Sequence, residues 1–387
     1  MNGGWNIFRR LRDTGSTASN VLGLFILAVS LLGSGCAAIR EPYSATDQAE
    51  ARIAGMDRVR AWADSPGPLL FGRGTSAMPI MLALSGGGAE GAYGAGFLNG
   101  WSYSGSRPLF GIVSGTSVGA LMAPFAFLGS AYDVALKEIF TSGQIESLLR
   151  LDGVRGLFGY GVYQTEPLKQ LIERYTDDAL LDAIAREYRK GRLLFIITTN
   201  IDSQRAVIWN MTAIAASDQP ERLDLFRRLL IASASIPGVF APTFIEVETG
   251  GKRFAEMHVD GSVISSVPAV QEVALLGKLP KPASVRPKVY VIINGKLEPD
   301  FDVVDGGTLS IVARSFWTTV KANTRNALSR THDLAQRNNW EFRATWIEPD
   351  RAIATSSFNF DAVYLRDLFS YGYERGRSGK AWQTALP

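Results

Sequence analysis

The stretch Pro79-Ile80-Met81-Leu82-Ala83-Leu84, followed by Ser85 and then Gly86-Gly87-Gly88-Ala89-Glu90-Gly91, decides how this chain is read. A short, continuously apolar run is the pattern of a strand buried on both faces. The glycine turn after it, with Ala89 to Trp101 reading as a helix, makes a strand–turn–helix unit. Successive glycines at a helix start expose backbone N–H groups, a geometry suited to an anionic oxygen. Working outward, Leu109 to Val113 is a second buried strand. It runs into Gly115-Thr116-Ser117-Val118-Gly119, a G-x-S-x-G turn that begins 29 residues after Gly86 and lifts a serine between strand and helix. Val118 to Leu128 has helical apolar content.

Further continuous apolar runs at Leu193 to Thr199 and Val289 to Asn294 predict more strands of a parallel sheet covered on both sides. The pattern between 130 and 190 is helical. Thr243 to Val247 and Phe254 to Val259, joined through Thr249-Gly250-Gly251, predict a hairpin with Asp260-Gly261 just past its second strand. Thr308 to Asn338 reads as a long amphipathic helix, Phe342 to Ile347 as a strand and Asp361 to Ala385 as a closing helix. Strands alternating with helices predict an α/β layered fold.

Lys and Arg total 40 against 37 Asp and Glu, a formal net charge of +3, and part of that excess lies in Arg9, Arg10 and Arg12. A near-balanced remainder argues against a nucleic-acid partner. The only cysteine is Cys36, so no internal disulfide forms, and no Cys/His set has metal-binding spacing. The basic start, the apolar run Val21 to Leu32 and the small residues Gly33-Ser34-Gly35 before Cys36 read as a secretory signal. It resembles a bacterial lipoprotein signal, in which Cys36 is lipidated, although Gly33 stands where that pattern usually has Leu. The run is too short to span a bilayer, which needs ~20 apolar residues. The expected organisation is a signal over 1–35, a tether and outer helix over 36–77, and the main domain over 78–387. The product is expected to be exported and lipid-anchored, facing the periplasm from the outer membrane. Within 36–77, Ser44 is placed to cap a helix with Asp47 in its first turn, and Ile53, Met56, Val59 and Trp62 recur at helical spacing.

Gly86-x-Gly88-x-x-Gly91 also matches the dinucleotide-binding fingerprint. The acidic residue that such a site needs about 20 residues on is absent, because that place is occupied by Gly111 to Gly115. A lone G-x-S-x-G is weak as well, since a serine that merely caps a buried helix looks the same. Taken in order, G-G-G-A-E-G, G-T-S-V-G and D-G resemble the patatin-like phospholipase family. Gly161 to Leu168 and Ala232 to Pro242 resemble that family's supporting segments, so the likeness runs from about Pro79 to Asn294. The resemblance implies a patatin-like three-layer α/β/α fold with a central, mostly parallel sheet and a lipid or ester substrate. It implies Ser117 as nucleophile, Asp260 as its partner in a dyad, and the turn Gly86, Gly87 and Gly88 as oxyanion hole, with Gly91, Gly115, Gly119 and Gly261 as motif glycines. No metal or organic cofactor is called for.

Two departures stand out. Glu90 occupies a position where the family usually has Lys or Arg, which implies weaker attraction for anionic head groups. Ser262 follows Asp260-Gly261 where Gly or Ala is usual, a change expected to be tolerated. The two histidines leave alternatives. His258 lies two residues before Asp260 and is expected at the site rim, and His332 would complete a Ser–Asp–His order. A non-catalytic lipid-binding or scaffold lipoprotein on the same fold is the rival class.

Overall fold

The computed structural model describes residues 40–64, 79–148, 150–152, 161–268, 286–301, 303–349 and 358–387. The expected signal with Cys36 lies outside them. Among the described residues no helix is long and apolar enough to cross a membrane.

The strands are β1 (Arg60–Trp62), β2 (Ile80–Leu84), β3 (Ile112–Thr116), β4 (Leu193–Asn200), β5 (Arg205–Asn210), β6 (Thr243–Thr249), β7 (Lys252–Asp260), β8 (Lys288–Ile292) and β9 (Glu341–Thr345). They form one sheet in the order β1-β5-β4-β3-β2-β8-β9, with the β6–β7 hairpin joined to β4. β4, β3, β2, β8 and β9 run parallel to one another. β5 and β1 close one edge antiparallel. Alternate residues feed two separate cores. Leu82, Leu84, Val113, Leu194 and Ile196 face one; Met81, Ala83, Ile112, Phe195 and Ile197 face the other. Burial on both faces explains why these strands are continuously apolar.

The helices are α1 (Ala45–Glu50), α2 (Gly91–Tyr103), α3 (Val118–Leu128), α4 (Asp133–Thr141), α5 (Glu166–Tyr175), α6 (Asp178–Arg189), α7 (Met211–Ala215), α8 (Arg222–Ala234), α9 (Thr308–Arg337) and α10 (Ala362–Ser378). The first core is covered by helices that include α2, α3, α8 and α10. Leu328 and Ala335 of α9 cover the second. The architecture is the expected α/β fold with helices on both faces of a central, mostly parallel sheet.

The predicted outer helix is corrected. Ser44 does cap, with Asp47 N–H donating to its Oγ at 3.1 Å and Ser44 N–H donating to Asp47 Oδ2 at 2.8 Å. The helix nevertheless ends at Glu50. Gly55 (φ 66°) and Arg58 (φ 59°) take left-handed backbone that no α-helix accommodates. Ile53, Met56 and Val59 are buried all the same, and the chain enters the sheet as β1. Their three-residue spacing reflects repeated return to the core through turns. β5, α7 and most of α8 had no forecast from the sequence.

α2 and α10 interlock through glycines four residues apart. A Cβ on Gly96 would lie 2.0 Å from the Phe369 carbonyl oxygen, and one on Gly100 1.9 Å from that of Tyr373. From the other side, Gly372 and Gly376 would each meet a carbonyl oxygen of α2 at 2.1 Å. Backbone packs on backbone, which pins the helix that starts at the glycine turn. Gly100→Ala raises intrinsic helix propensity by about 1 kcal/mol, yet the clash is with main chain that cannot rotate away. We expect the clash to win and the melting temperature to fall by several degrees. An unchanged or higher melting temperature would show that α10 is not seated by these contacts.

Candidate active site

β4 aligns the site. Thr116, the last residue of β3, pairs with Ile197, and Asp260, the last of β7, pairs with the next residue, Thr198. Because β5 occupies the other edge of β4 at Thr198, β7 takes up the edge that β3 vacates. Ser117 leaves the sheet where Asp260 arrives.

Ser117 is 4% exposed and has φ 55° and ψ −127°, a conformation that costs a non-glycine residue on the order of 1–3 kcal/mol and is held by its surroundings. It occupies the N-cap position of α3, but its side chain makes no capping hydrogen bond. That removes the ordinary structural reason for a serine there. Its N–H donates to Ser233 Oγ at 3.1 Å, and Ser233 Oγ donates to the Ile197 carbonyl at 2.7 Å. Asp260 N–H donates to the Ser235 carbonyl at 2.8 Å. The end of α8 thus holds both residues in place. The sequence shows this segment as a family likeness but not its positioning role. A serine pair two apart beside a helix end was its visible signal.

Asp260 is 1% exposed. Its Oδ1 accepts the Ser262 N–H at 2.7 Å, while Oδ2 has no well-aligned hydrogen bond. Burial pushes its pKa up to about 6, against the pull of the Ser117 hydroxyl and of Ser262. Ser117 is therefore within reach of the carboxyl without an ideal bond to it, as is common in sites without substrate. Ser262 is more than a tolerated change. Its Oγ lies where a Cβ on Gly86 would come within 2.3 Å, and its hydroxyl acts on Asp260.

The glycine turn is corrected in one member. Gly86 N–H donates to the Ser266 carbonyl at 3.1 Å and is spent. The N–H groups of Gly87 and Gly88 have no backbone acceptor among the described residues, and Gly88 sits at φ 56°, a left-handed value. Gly119 lets the elbow close on this turn, since a Cβ there would lie 2.3 Å from the Leu84 carbonyl oxygen. Gly91 faces Val118, Gly115 faces Gly119, and Gly261 faces the Ile197 carbonyl.

Neither histidine joins Ser117. His258 is wholly buried, not at a rim. Trp209 Nε1–H can only donate, and does so to Thr198 Oγ1 at 2.7 Å. The Thr198 hydroxyl then donates to His258 Nδ1 at 2.9 Å, leaving Nε2–H for Glu256 Oε2 at 3.2 Å. Arg60 closes the chain with two bonds to Glu256, at 2.7 and 3.1 Å. Burial holds the His258 pKa below its ordinary value, so the ring stays neutral. Burial raises the Glu256 carboxyl, but the His258 hydrogen bond and Arg60 outweigh it and leave its pKa below the usual range. His332 lies on α9 against Phe342 of β9, with ring centroids 5.0 Å apart. β9 is three strands from β3, about 14 Å at ordinary strand spacing. The order Ser117, Asp260, His332 is therefore not a triad.

Glu90 is 7% exposed, and it lines a polar pocket together with Gly86 and Gly87. On the other side of the turn, Gly88 and Ser117 share the wall of an apolar cavity with Leu121, Phe125, Phe140 and Leu168.

The raised pKa of this carboxyl carries a stability effect. The folded-state pKa is raised, so Asp260 favours folding below its ordinary pKa and loses that contribution as pH rises through about 6. Asp260→Asn should melt higher than wild type at pH 8, with little difference at pH 4. A lower melting temperature for the variant at pH 8 would contradict this account of the buried carboxyl.

A family model described as patatin-like phospholipase matches residues 82–273. Among solved structures, VipD from Legionella pneumophila is similar to this chain at 12% identity and a TM-score of 0.38, covering 79% of this chain and 68% of that one. No curated protein matches. The matched stretch runs from the strand before the glycine turn to just past Asp260, and through it the chain belongs to the patatin-like phospholipase family.

Proposed function

We propose that the chain hydrolyses carboxylic esters of lipids, with Ser117 as nucleophile and Asp260 as its proton acceptor. The family assignment supports lipid acyl hydrolysis in general terms. The observation that carries the finer reading is the register of β4, which sets an uncapped, strained serine beside a buried carboxyl. Ser117 Oγ attacks the ester carbonyl as its proton passes to Asp260 Oδ2. A carboxyl near pKa 6 is a better base at neutral pH than a free aspartate near ~3.9. The oxyanion is held by the Gly87 and Gly88 N–H groups, which supply preformed dipoles with little water about. Asp260 returns the proton to the departing alcohol. Water then attacks the acyl-serine, again losing its proton to Asp260, and Ser117 leaves with that proton as the fatty acid departs. The apolar cavity beside Ser117 suits the acyl chain.

The rival scaffold reading has no use for a buried carboxyl held beside a serine that caps nothing. Ser117→Ala separates the two. Turnover of a short chromogenic ester should fall to background while circular dichroism and melting are unchanged. Activity above a few per cent of wild type would remove Ser117 from the mechanism.

The reading of residues 1–36 as a lipoprotein signal is likewise a proposal, resting on the basic start, the apolar run and the small residues before Cys36. Cys36→Ser should move the protein from the membrane to the soluble fraction, because lipidation needs the thiol and each buried CH₂ of an acyl chain contributes about 0.8 kcal/mol. Unchanged membrane attachment would refute it.

A further inference from the structure

Gly86, Gly87 and Gly88 have no side chains, so nothing within the turn decides which way its peptide planes face. A plane turns by changing ψ of one residue and φ of the next, and between two glycines no Cβ opposes that rotation. In a trans peptide the C=O and N–H point in opposite directions, and among the described residues no peptide is cis. A bond that fixes the C=O of one glycine therefore also aims the N–H of the next.

Each donor of the proposed oxyanion hole has one such bond behind it. The Gly87 carbonyl accepts the Glu90 N–H at 3.1 Å as the helical turn begins, and this aims the Gly88 N–H. The Gly86 carbonyl accepts the Ser85 hydroxyl at 2.7 Å, and this aims the Gly87 N–H. The direction of the Ser85 bond is itself decided. Asn294 N–H donates to Ser85 Oγ at 2.8 Å, so the hydroxyl accepts there and its single proton is left for Gly86. The Ser85 backbone is held as well. Its N–H donates to the Ile292 carbonyl at 3.0 Å, and its carbonyl accepts Asn294 Nδ2 at 2.7 Å. Ser85 and Asn294 are 1% and 2% exposed, so water does not compete for these groups. Ile292 ends β8, and Asn294 lies beyond residues 82–273, the stretch the family model matches. The orientation of the turn is thus imposed from the neighbouring strand, through one serine hydroxyl.

We infer that Ser85 is a positioning residue for ester hydrolysis: its hydroxyl holds the Gly86–Gly87 peptide in the orientation that leaves the Gly87 N–H unspent and available to the oxyanion. Ser85 does not touch substrate and acts through Gly87. Without the hydroxyl the plane is free to turn, and a turned plane presents a carbonyl oxygen, which repels an oxyanion. This rests on the hydrolase reading above.

Ser85→Ala removes the hydroxyl and nothing else. A ground-state ester carbonyl draws little from the hole, whereas the oxyanion of the transition state depends on it. On a short chromogenic ester kcat should therefore fall roughly 10- to 100-fold, with KM changed less than about twofold. The second readout is the inhibition constant of an alkyl trifluoromethyl ketone. Ser117 Oγ adds to the ketone carbon, the hydroxyl proton passes to Asp260 Oδ2, and the carbonyl π pair becomes an oxyanion at the turn. Ki should rise by the same factor as kcat/KM falls. A merely structural loss lowers the amount of competent enzyme and leaves Ki where it was. If Ser85→Ala does not fold, Ser85→Cys, close to serine in size but a weak donor, is measured in its place and should move kcat and Ki in the same direction. Unchanged kcat, or a lower kcat with unchanged Ki, overturns the role of Ser85, while wild-type turnover leaves the hydrolase reading standing. Wild type that neither turns over any ester nor binds the ketone refutes the hydrolase reading, and the positioning role with it.

Discussion

Consecutive residues of one strand organise this molecule. Ile197 pairs with Thr116 and Thr198 with Asp260, so β4 aligns two chain segments that are 144 positions apart at Thr116 and Asp260. Strand pairing specifies register strongly where residues are buried, because a slip of one residue would turn every side chain to the wrong face. All eight residues of β4 are buried. The placement of Asp260 beside Ser117 therefore inherits the rigidity of the core. The end of α8 adds a second constraint, with Ser233 and Ser235 each taking a backbone N–H from the pair.

Stability is given up locally to build the site. Ser117 holds a positive φ, and Asp260 is buried with one oxygen lacking a good partner. A buried polar chain beside it is fully paired. The chain from Trp209 through Thr198, His258 and Glu256 to Arg60 is continuous and directional. It lies along the same strands as Asp260, and it ties β1, β4, β5 and β7 together next to the strained turn. A buried ion pair with complete hydrogen bonding of this kind favours one arrangement over its neighbours, even where its net contribution to stability is small.

The glycines act through backbone proximity. Gly119 allows α3 to touch the strand feeding the glycine turn, and the glycines of α2 and α10 allow those helices to share a surface without side chains between them. The turn then becomes a thin partition between an apolar cavity and a polar pocket.

Much of the site was legible in the sequence because the residues concerned are constrained locally. A buried strand must be apolar, a sharp turn needs glycine, and a serine elbow needs small neighbours, so β2, β3, β4, the β6–β7 hairpin, Ser117 and Asp260 could be named in advance, together with the α/β class. Other features depended on what approaches from far along the chain. Ile53, Met56 and Val59 kept a helical spacing while serving the sheet core through turns, because burial constrains position and not the local path. The loss of Gly86 as a donor depended on the Ser266 carbonyl. The tautomer of His258 depended on Trp209, Thr198 and Glu256, and the surroundings of Glu90 on a segment about 200 residues later. Sequence determines which groups are present and what each backbone position tolerates. Only tertiary packing decides which hydrogen bonds are already taken, how much water a carboxyl retains, and hence which of those groups remain free to act.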